Sequence, residues 1–160
     1  MRRIMNHELR IKNSGGFTLI ELLIVIAIIG VLATLLMVNF VGVRQRARDA
    51  QRKSDLRQLQ SALEIWRSDH GSYPASGSEF GSCGTPLQSG TTVYMAKIPC
   101  DPANTGQYVY TYVSSGTTNS ASYSLYACLE NVNDSQKDST NNSTYCTGGT
   151  TNWSFTLNNP

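Results

Sequence analysis

Apolar side chains form one continuous stretch near the N-terminus, from Phe17 to Val43, in which Glu21 is the only charged residue. A helix of about 20 apolar residues is long enough to cross a bilayer. A lone carboxylate in hydrocarbon is costly unless it has a partner, so an intramembrane glutamate marks a functional site. The stretch therefore predicts a helix that needs a membrane or other protein around it, with one carboxylate that needs a partner.

The helical pattern continues beyond this stretch, but with fewer apolar positions. Apolar residues recur at intervals of three and four in two successive groups, first Val43, Ala47 and Ala50 and then Leu56, Leu59, Leu63 and Trp66. Such spacing is typical of an apolar stripe along a charged helix. Gly71 and Pro74 then supply a stop signal. We therefore expect one continuous helix from Phe17 to His70.

The remainder of the chain has the pattern of short β-strands. Three segments are rich in β-branched and aromatic residues and lie between runs of Gly, Ser, Asn and Thr: QYVYTYV (Gln107–Val113), SYSLYACL (Ser122–Leu129) and NWSFTL (Asn152–Leu157). Three or four antiparallel strands would pack against the Leu59 and Trp66 side of the helix. The pattern predicts an α+β fold in which the second half of the helix and a small antiparallel sheet share one core.

All the cysteines lie in this β-rich part, and none forms a Cys-x-x-Cys pair; they are Cys83, Cys100, Cys128 and Cys146. An even number in a small polar domain indicates two disulfides and an oxidising compartment. Four reduced thiols in a cytosolic domain are the alternative. Three pairings are open from the sequence. We favour Cys83 with Cys100 and Cys128 with Cys146, because each pair closes a short loop.

Charge is unevenly distributed along the chain. Residues 1–16 have a surplus of three positive charges, residues 44–67 a surplus of four, and the chain from Ser68 onward a deficit of four. The acidic C-terminal part is a poor binder of phosphate backbones. The basic stretch from Arg44 to Arg57 could contact anionic lipid or DNA, but we favour a solvated helix face or charges paired with neighbouring copies.

The membrane orientation is ambiguous from these charges. The basic residues after the apolar stretch outnumber those before it, which by the positive-inside rule would leave the C-terminal part in the cytoplasm. The paired cysteines favour export instead. We expect export and keep the reversed topology as the alternative.

Few residues suggest catalysis or cofactor binding. His70 is expected to contact the last carbonyls of the helix, because nothing in the sequence places a nucleophile beside it for a Ser/His/Asp site. We predict no enzymatic activity and no cofactor. Calcium is the weaker alternative, with ligands from Glu130, Asp134 and Asp138 and the neighbouring Asn131 and Asn133. Glycosylation sequons indicate exposed polar turns at Asn133, Asn141, Asn142 and Asn152.

The segment GGFTLIE, Gly15–Glu21, resembles the class III leader junction of type IV pilins and type II secretion pseudopilins. The resemblance extends over the apolar helix to about Leu36 and more loosely through Ala47–Pro74. KIPCDPANTGQYVYTY, Lys97–Tyr112, is similar to the Pro-x-Asp-Pro…Tyr-x-Tyr segment of major pseudopilins. The rest of the C-terminal part has no residue-level match.

This resemblance implies a processing pathway and a set of partners. A prepilin peptidase would cut between Gly16 and Phe17 and methylate the new amino group of Phe17. An assembly ATPase and a platform membrane protein would then drive polymerisation, with Glu21 paired to the Phe17 amino group of a neighbouring subunit. The implied segments are a leader (1–16), a transmembrane or filament-core helix (17–43), an amphipathic half-helix (44–71) and a disulfide-linked head (72–160).

Three functions stay open at this point. The first is a structural subunit of a type IV pilus-like filament for adhesion, motility or DNA uptake, held in the cytoplasmic membrane with its N-terminus inside and later found at the cell surface. The second is a major pseudopilin of a periplasmic pseudopilus. The third is a membrane-anchored module that binds DNA or another ligand. Many type IV pilins carry a helix-breaking proline, but no proline lies between Phe17 and Val43, so a melted helix near Gly30 and a straight one are both open.

Overall fold

The computed structural model describes residues 16–77, 79–117 and 119–160, without the side chains of residues 38 and 39. Its elements in chain order are α1 (Leu19–His70), β1 (Leu87–Ser89), β2 (Thr92–Met95), β3 (Thr111–Ser114), β4 (Tyr123–Leu129) and β5 (Trp153–Asn158). The predicted leader lies outside the described residues except for Gly16. The chain divides into two compact units, Met1–Phe40 and Val41–Pro160.

The predicted α+β class is confirmed, since a long N-terminal helix precedes two antiparallel sheets. β3, β4 and β5 form a three-stranded sheet in that order. The hairpin of β1 and β2 was not predicted, because its strands have only three and four residues and leave little pattern in the sequence. β3 also begins later than predicted, because a bridge between Thr105 and Tyr108 closes a turn where the strand was expected to start.

α1 ends where the sequence predicted. Gly71 adopts a φ of 73°, in the left-handed region that glycine enters without steric cost. Its amide donates to the carbonyl of Arg67 at 2.8 Å, so one of the last helical carbonyls is satisfied.

Within the first unit, the apolar part of α1 is unpartnered. The segment Leu19–Met37 has a mean hydropathy of 2.9 and is long enough to cross a membrane, and none of it is buried within the part of the chain that the structure describes. Its side chains are apolar on all sides, as expected of a helix that is covered by lipid or by other proteins.

The second unit has a single apolar core between one face of α1 and the inner face of the larger sheet. Tyr123, Leu125, Ala127 and Leu129 of β4 point inward, and Phe155 of β5 joins them. On the helix the buried apolar residues are Leu56, Leu59, Ala62, Leu63 and Trp66. Each fully buried leucine contributes about 1.5–3 kcal/mol through removal of its surface from water.

The apolar stripe of α1 is buried at its apolar positions from Leu56 to Trp66 and exposed before Leu56. Val43 is 60% exposed, and Ala47 and Ala50 are exposed as well. At that level the helix buries charged residues instead, Asp49 and Arg52. Charged residues are buried at this level because the segments around Asp101 and Glu130, which cover the helix there, present carboxylates rather than apolar side chains.

Candidate functional site

Glu21 and Thr18 form a reciprocal hydrogen-bonded cap at the start of α1. The Thr18 amide and the Thr18 hydroxyl each donate to Oε2 of Glu21 at 2.8 Å, and the Glu21 amide donates back to Oγ1 of Thr18 at 3.4 Å. This arrangement is a capping box, which satisfies helical amides that have no partner within the helix. The carboxylate in the apolar stretch therefore has a partner in its own chain. This capping box was not predicted from the sequence, although the Thr-x-x-Glu spacing is its signature.

The residues of the predicted cleavage site lie directly before this cap. Phe17 is 91% exposed, and a side chain at Gly16 would meet no atom within 4 Å. A peptide bond still joins Gly16 to Phe17, so the nitrogen of Phe17 is an amide and carries no charge. The predicted pairing of Glu21 with the amino group of a processed neighbour stays a prediction.

Two disulfides link the C-terminal unit, Cys83–Cys100 and Cys128–Cys146. They are the pairing favoured from the sequence, with partners 17 and 18 residues apart. Asp101 directly follows the first disulfide, and Glu130 comes two residues after Cys128. The disulfides thus restrain the two segments that carry carboxylates toward α1.

Arg52 lies at the centre of a buried ionic cluster and is completely inaccessible to solvent. Its Nε and Nη2 donate to the two oxygens of Asp101 at 2.6 and 2.9 Å, a bidentate pair. Its Nη1 donates to Asp49 at 2.7 Å and to Glu130 at 2.8 Å. The ring of Tyr108 lies 4.7 Å from the guanidinium carbon and covers its face.

Asp49 and Arg48 extend the cluster to the segment after β4. Arg48 donates to both oxygens of the Glu130 carboxylate, with a distance of 2.6 Å from its Nε. The carboxylate of Asp49 accepts the backbone amides of Glu130 and Asn131 at 2.9 and 2.8 Å. One turn of α1 therefore holds both the side chain and the backbone of this segment.

The hydrogen bonds of the cluster outweigh the cost of burial for its central arginine. Burial alone lowers the pKa of Arg52, but the hydrogen bonds to Asp101, Glu130 and Asp49 together raise that pKa above its ordinary value. The hydrogen bond from Arg48 is the main reason that the pKa of Glu130 is lowered. Both shifts favour the charged forms of Arg52 and Glu130.

Asp55 differs from the other buried carboxylates because its hydrogen-bond partner is a neutral hydroxyl. It is 8% exposed, and the hydroxyl of Tyr110 donates to it at 2.7 Å. Burial raises the pKa of Asp55, against the hydrogen bond from Tyr110, and the charge of Asp101 adds to the rise. Burial also raises the pKa of Tyr110, and its hydrogen bond to Asp55 adds to that rise.

These contacts change the interpretation of the basic stretch. The sequence suggested a solvated face or pairing between copies, and this is wrong for Arg48, Arg52 and Lys53. Lys53 donates to Asp134 of the same chain at 2.8 Å. The surplus of positive charge on α1 is thus largely matched by the acidic C-terminal part. Arg46 and Arg57 remain exposed, the latter 3.5 Å from the side chain of Gln136.

The carboxylates considered for calcium all have protein donors. Glu130 and Asp134 are in the ion pairs described above, and Asp138 accepts the amide and the hydroxyl of Thr156 at 3.0 and 2.6 Å. Within residues 16–77, 79–117 and 119–160, no group of three or more His, Cys, Asp or Glu side chains is arranged to hold a metal ion.

His70 has one contact that the sequence predicted and one that it did not. Its Nδ1 lies 3.1 Å from the carbonyl of Trp66 in the last helical turn, as expected. Its Nε2 lies 3.1 Å from the hydroxyl of Ser89, a contact that nothing in the sequence indicated. The neighbouring carboxylate of Asp69 accepts the Tyr94 hydroxyl at 3.0 Å. The histidine therefore joins the β1–β2 hairpin to the helix end, and its Nδ1 faces a backbone carbonyl rather than the carboxylate that a Ser/His/Asp site requires.

Comparison with known proteins adds independent information about the N-terminal half. The family model of the prokaryotic N-terminal methylation motif matches residues 11–37. Type II secretion system core protein G of Pectobacterium carotovorum is 41% identical over 61 residues, which cover 38% of this chain and 39% of that protein. Type IV wide pilus major component PilA4 of Thermus thermophilus is 43% identical over 65 residues, which cover 41% of this chain and 50% of that protein. The chain therefore carries the prokaryotic N-terminal methylation motif and is similar, over about two fifths of its length, both to a type II secretion core protein and to a type IV pilin.

Identity is lower where a relative matches over a longer part of the chain. The core protein G of Dickeya chrysanthemi is 31% identical over 98 residues, or 57% of this chain and 64% of that protein. The chain thus spans between 39% and 64% of these relatives. No solved structure matches it significantly.

Proposed function

We propose that this chain is a prepilin, a structural subunit without enzymatic activity that polymerises into a type IV pilus-like filament. The observation that carries the proposal is the methylation motif on a helix whose apolar segment is not buried by any of the described residues. A surface of that kind needs lipid before assembly and copies of itself afterwards. The subunit starts in the cytoplasmic membrane, with its N-terminus inside, and ends in a filament at the cell surface.

Processing would change the partners of Glu21. A prepilin peptidase cuts between Gly16 and Phe17 and methylates the new amino group, which keeps its positive charge. An assembly ATPase and a platform membrane protein then move subunits into the filament. In the precursor the carboxylate caps its own helix through Thr18. In the filament it would also pair with the Phe17 amino group of a neighbouring subunit, which sets the register of packing.

The capping box allows the charge of Glu21 to be separated from its role as a cap. Glutamine serves in a capping box as well as glutamate does, so Glu21→Gln keeps the cap and removes the charge. Glu21→Ala removes both. Thr18→Ala keeps the charge and removes the hydroxyl. We expect both Glu21 variants to be processed normally and to yield few or no filaments, and Thr18→Ala to yield them.

The measurement combines intact-mass spectrometry with electron microscopy of protein sheared from cells. Wild-type fibres should contain a species from Phe17 to Pro160 with one added methyl group and four hydrogens fewer, apart from any modification of the head. Normal filaments from Glu21→Gln would show that the carboxylate serves only as a cap, and the pairing would be wrong. Unprocessed protein found only in membranes would overturn the prepilin proposal itself.

The similarity to core protein G supports the pseudopilin as a second candidate. The absence of proline between Phe17 and Val43 agrees with the straighter helix of that group. Long surface fibres support the pilus, whereas short filaments confined to the periplasm in a strain with type II secretion support the pseudopilin.

A membrane-anchored binding module is supported less well. The ionic cluster uses Arg48, Arg52 and Lys53 internally, which leaves few cations of this stretch for nucleic acid. DNA binding by the full chain that weakens steeply with salt, together with a failure to polymerise, would favour this alternative.

A further inference from the structure

The C-terminal unit has four glycosylation sequons, at Asn133, Asn141, Asn142 and Asn152, and the structure separates them by accessibility. An acceptor asparagine needs a carboxamide nitrogen that an enzyme can reach, and a Ser or Thr two residues later. The sequence alone makes the four sites equivalent. Their hydrogen bonds and their burial distinguish the four sites.

Asn152 is excluded by burial, since its side chain is inaccessible to solvent. The expectation that all four sequons lie in exposed turns is therefore wrong at this position. Its Oδ1 accepts the amide of Gly148 at 3.1 Å. A Cβ at Gly148 would lie 2.3 Å from Nδ2 of Asn152, so no space for a sugar exists there.

Asn141 is excluded by its part in the sheet edge. Its Oδ1 accepts the amide of Ser154 in β5 at 2.8 Å, and its Nδ2 donates to the carbonyl of Cys146 at 3.2 Å. Both ends of the carboxamide are thus in use. To enter an enzyme's active site, the carboxamide would have to turn away and break both bonds, one of which satisfies an amide of the edge strand β5.

Asn142 is half-buried, and its carboxamide is partly in use. Its Oδ1 accepts the amide of Thr144, the third residue of its own sequon, at 3.1 Å. Its backbone amide donates to Ser154 at 2.9 Å. This site is a weaker acceptor than one whose side chain is exposed and unbonded.

Asn133 meets both requirements. It is exposed, as is Ser135, the hydroxyl residue of its sequon. Within the part of the chain that the structure describes, neither the Asn133 carboxamide nor the Ser135 hydroxyl has a hydrogen-bond partner. The residue between them is anchored, because Asp134 accepts from Lys53 at 2.8 Å and from the amide of Gln136 at 2.8 Å. The turn backbone is therefore held while the two side chains of the acceptor are available.

We propose that Asn133 is the N-glycosylation site of this protein, with a lipid-linked oligosaccharide as donor. Nδ2 of Asn133 would lose a proton and form a bond to the anomeric carbon of the first sugar. The bond from that carbon to the phosphate oxygen of the lipid carrier breaks, and the lipid phosphate leaves with the electron pair. No oxidant or reductant is involved. The inference rests on export of the head, which the proposed function requires.

Trypsin separates this site from the other three without any engineering. After reduction of the disulfides, cleavage at Lys97 and Lys137 places Asn133 alone on peptide 98–137, and the other sequons together on peptide 138–160. We expect a sugar-sized mass increment on the first peptide of full-length protein from its native organism, with none on the second.

Matched variants test the assignment. Asn133→Gln and Ser135→Ala should each abolish the increment, whereas Ser135→Thr, which keeps the sequon, and Asn142→Gln should leave its occupancy unchanged. An unmodified peptide 98–137 overturns the proposal. So does an increment that survives Asn133→Gln, which would be O-linked, and so does one on peptide 138–160. Filaments that assemble from protein without any mass increment would overturn the proposed glycosylation and leave the proposed function intact.

Discussion

Two successive levels of α1 hold the β-rich part of the chain, residues 72–160, by different means. From Asp49 to Arg52 the helix is held by charge-assisted hydrogen bonds to Asp101 and Glu130. From Leu56 to Trp66 it is held by apolar packing against the sheet. Apolar packing is non-directional and tolerates small shifts, whereas a bidentate guanidinium–carboxylate pair fixes one geometry. The difference indicates that the leucines supply most of the burial and that the ionic level fixes the position of the disulfide-linked segments.

This division has a thermodynamic cost, because a buried ionic cluster is not inherently more stable than an apolar one. The ionic cluster instead raises the free energy of any arrangement in which one of its charged residues lacks its partners. Leaving Arg52 without Asp101, or the carboxylates without Arg52, leaves uncompensated charge in a site without solvent. The two levels can be tested by substitutions of similar size on each.

The largest effect is expected from Arg52→Met, which retains much of the side-chain volume and removes the charge. Three carboxylates would lose a buried cation, at a cost of about 3–5 kcal/mol in the free energy of unfolding. Arg46→Met, at an exposed position of the same helix, should change it by less than about 0.5 kcal/mol. Urea unfolding of the full chain in detergent, followed by tryptophan fluorescence, measures both. Equal effects of the two substitutions would contradict the distinction.

Leu63→Ala should destabilise the apolar level by about 3 kcal/mol, from lost transfer free energy and the cavity left behind. Leu63 is fully buried. Because a cavity does not alter charge, this variant should lose the same free energy at pH 7 and at pH 4. Ile65→Ala, at an exposed position two residues away, is the control and should have little effect. A strong pH dependence of the Leu63→Ala loss would show that the two levels are coupled.

Acid should weaken the ionic level selectively. The pKa of Glu130 is lowered in the folded chain, chiefly by the hydrogen bond from Arg48, so the unfolded chain binds its proton more readily. The stabilisation is present above the ordinary value of 4.5 and is lost as the pH falls through the lower folded pKa. Asp134 acts in the same direction, whereas the raised pKa of Asp55 opposes it.

Thermal unfolding between pH 7 and pH 3 measures this contribution. The melting temperature should fall with acidification in the wild type and fall less steeply in Glu130→Gln, which starts from a lower value at pH 7. An identical slope in both proteins would show that other carboxylates account for the acid sensitivity.

The smallest effect is expected from calcium. Because Glu130, Asp134 and Asp138 already accept from protein donors, millimolar calcium or its removal by a chelator should shift the melting temperature by less than about 1 °C, the scale of a few tenths of a kcal/mol. Magnesium at the same concentration controls for ionic strength. A rise specific to calcium that disappears in Asp134→Asn would show that the loop rearranges into a cation site.

The sequence by itself determined the elements that depend on local pattern. Unbroken hydropathy identified the apolar helix, Gly71 identified its end, and short cysteine spacing favoured the two disulfides that the structure contains. The family resemblance depended on the contiguous segment Gly15–Glu21. Each of these signals lies within a few residues of the feature that it predicts, so no knowledge of distant segments was needed.

Only the tertiary structure decided which charges are buried and which sequon is accessible. Arg46 and Arg52 are alike in sequence context, yet one is exposed and the other is enclosed by carboxylates that lie 49 and 78 residues further along the chain. Asn133 and Asn152 likewise differ in burial rather than in motif. Burial is a property of segments brought together by folding, and a polar residue in the sequence does not record which distant groups will surround it.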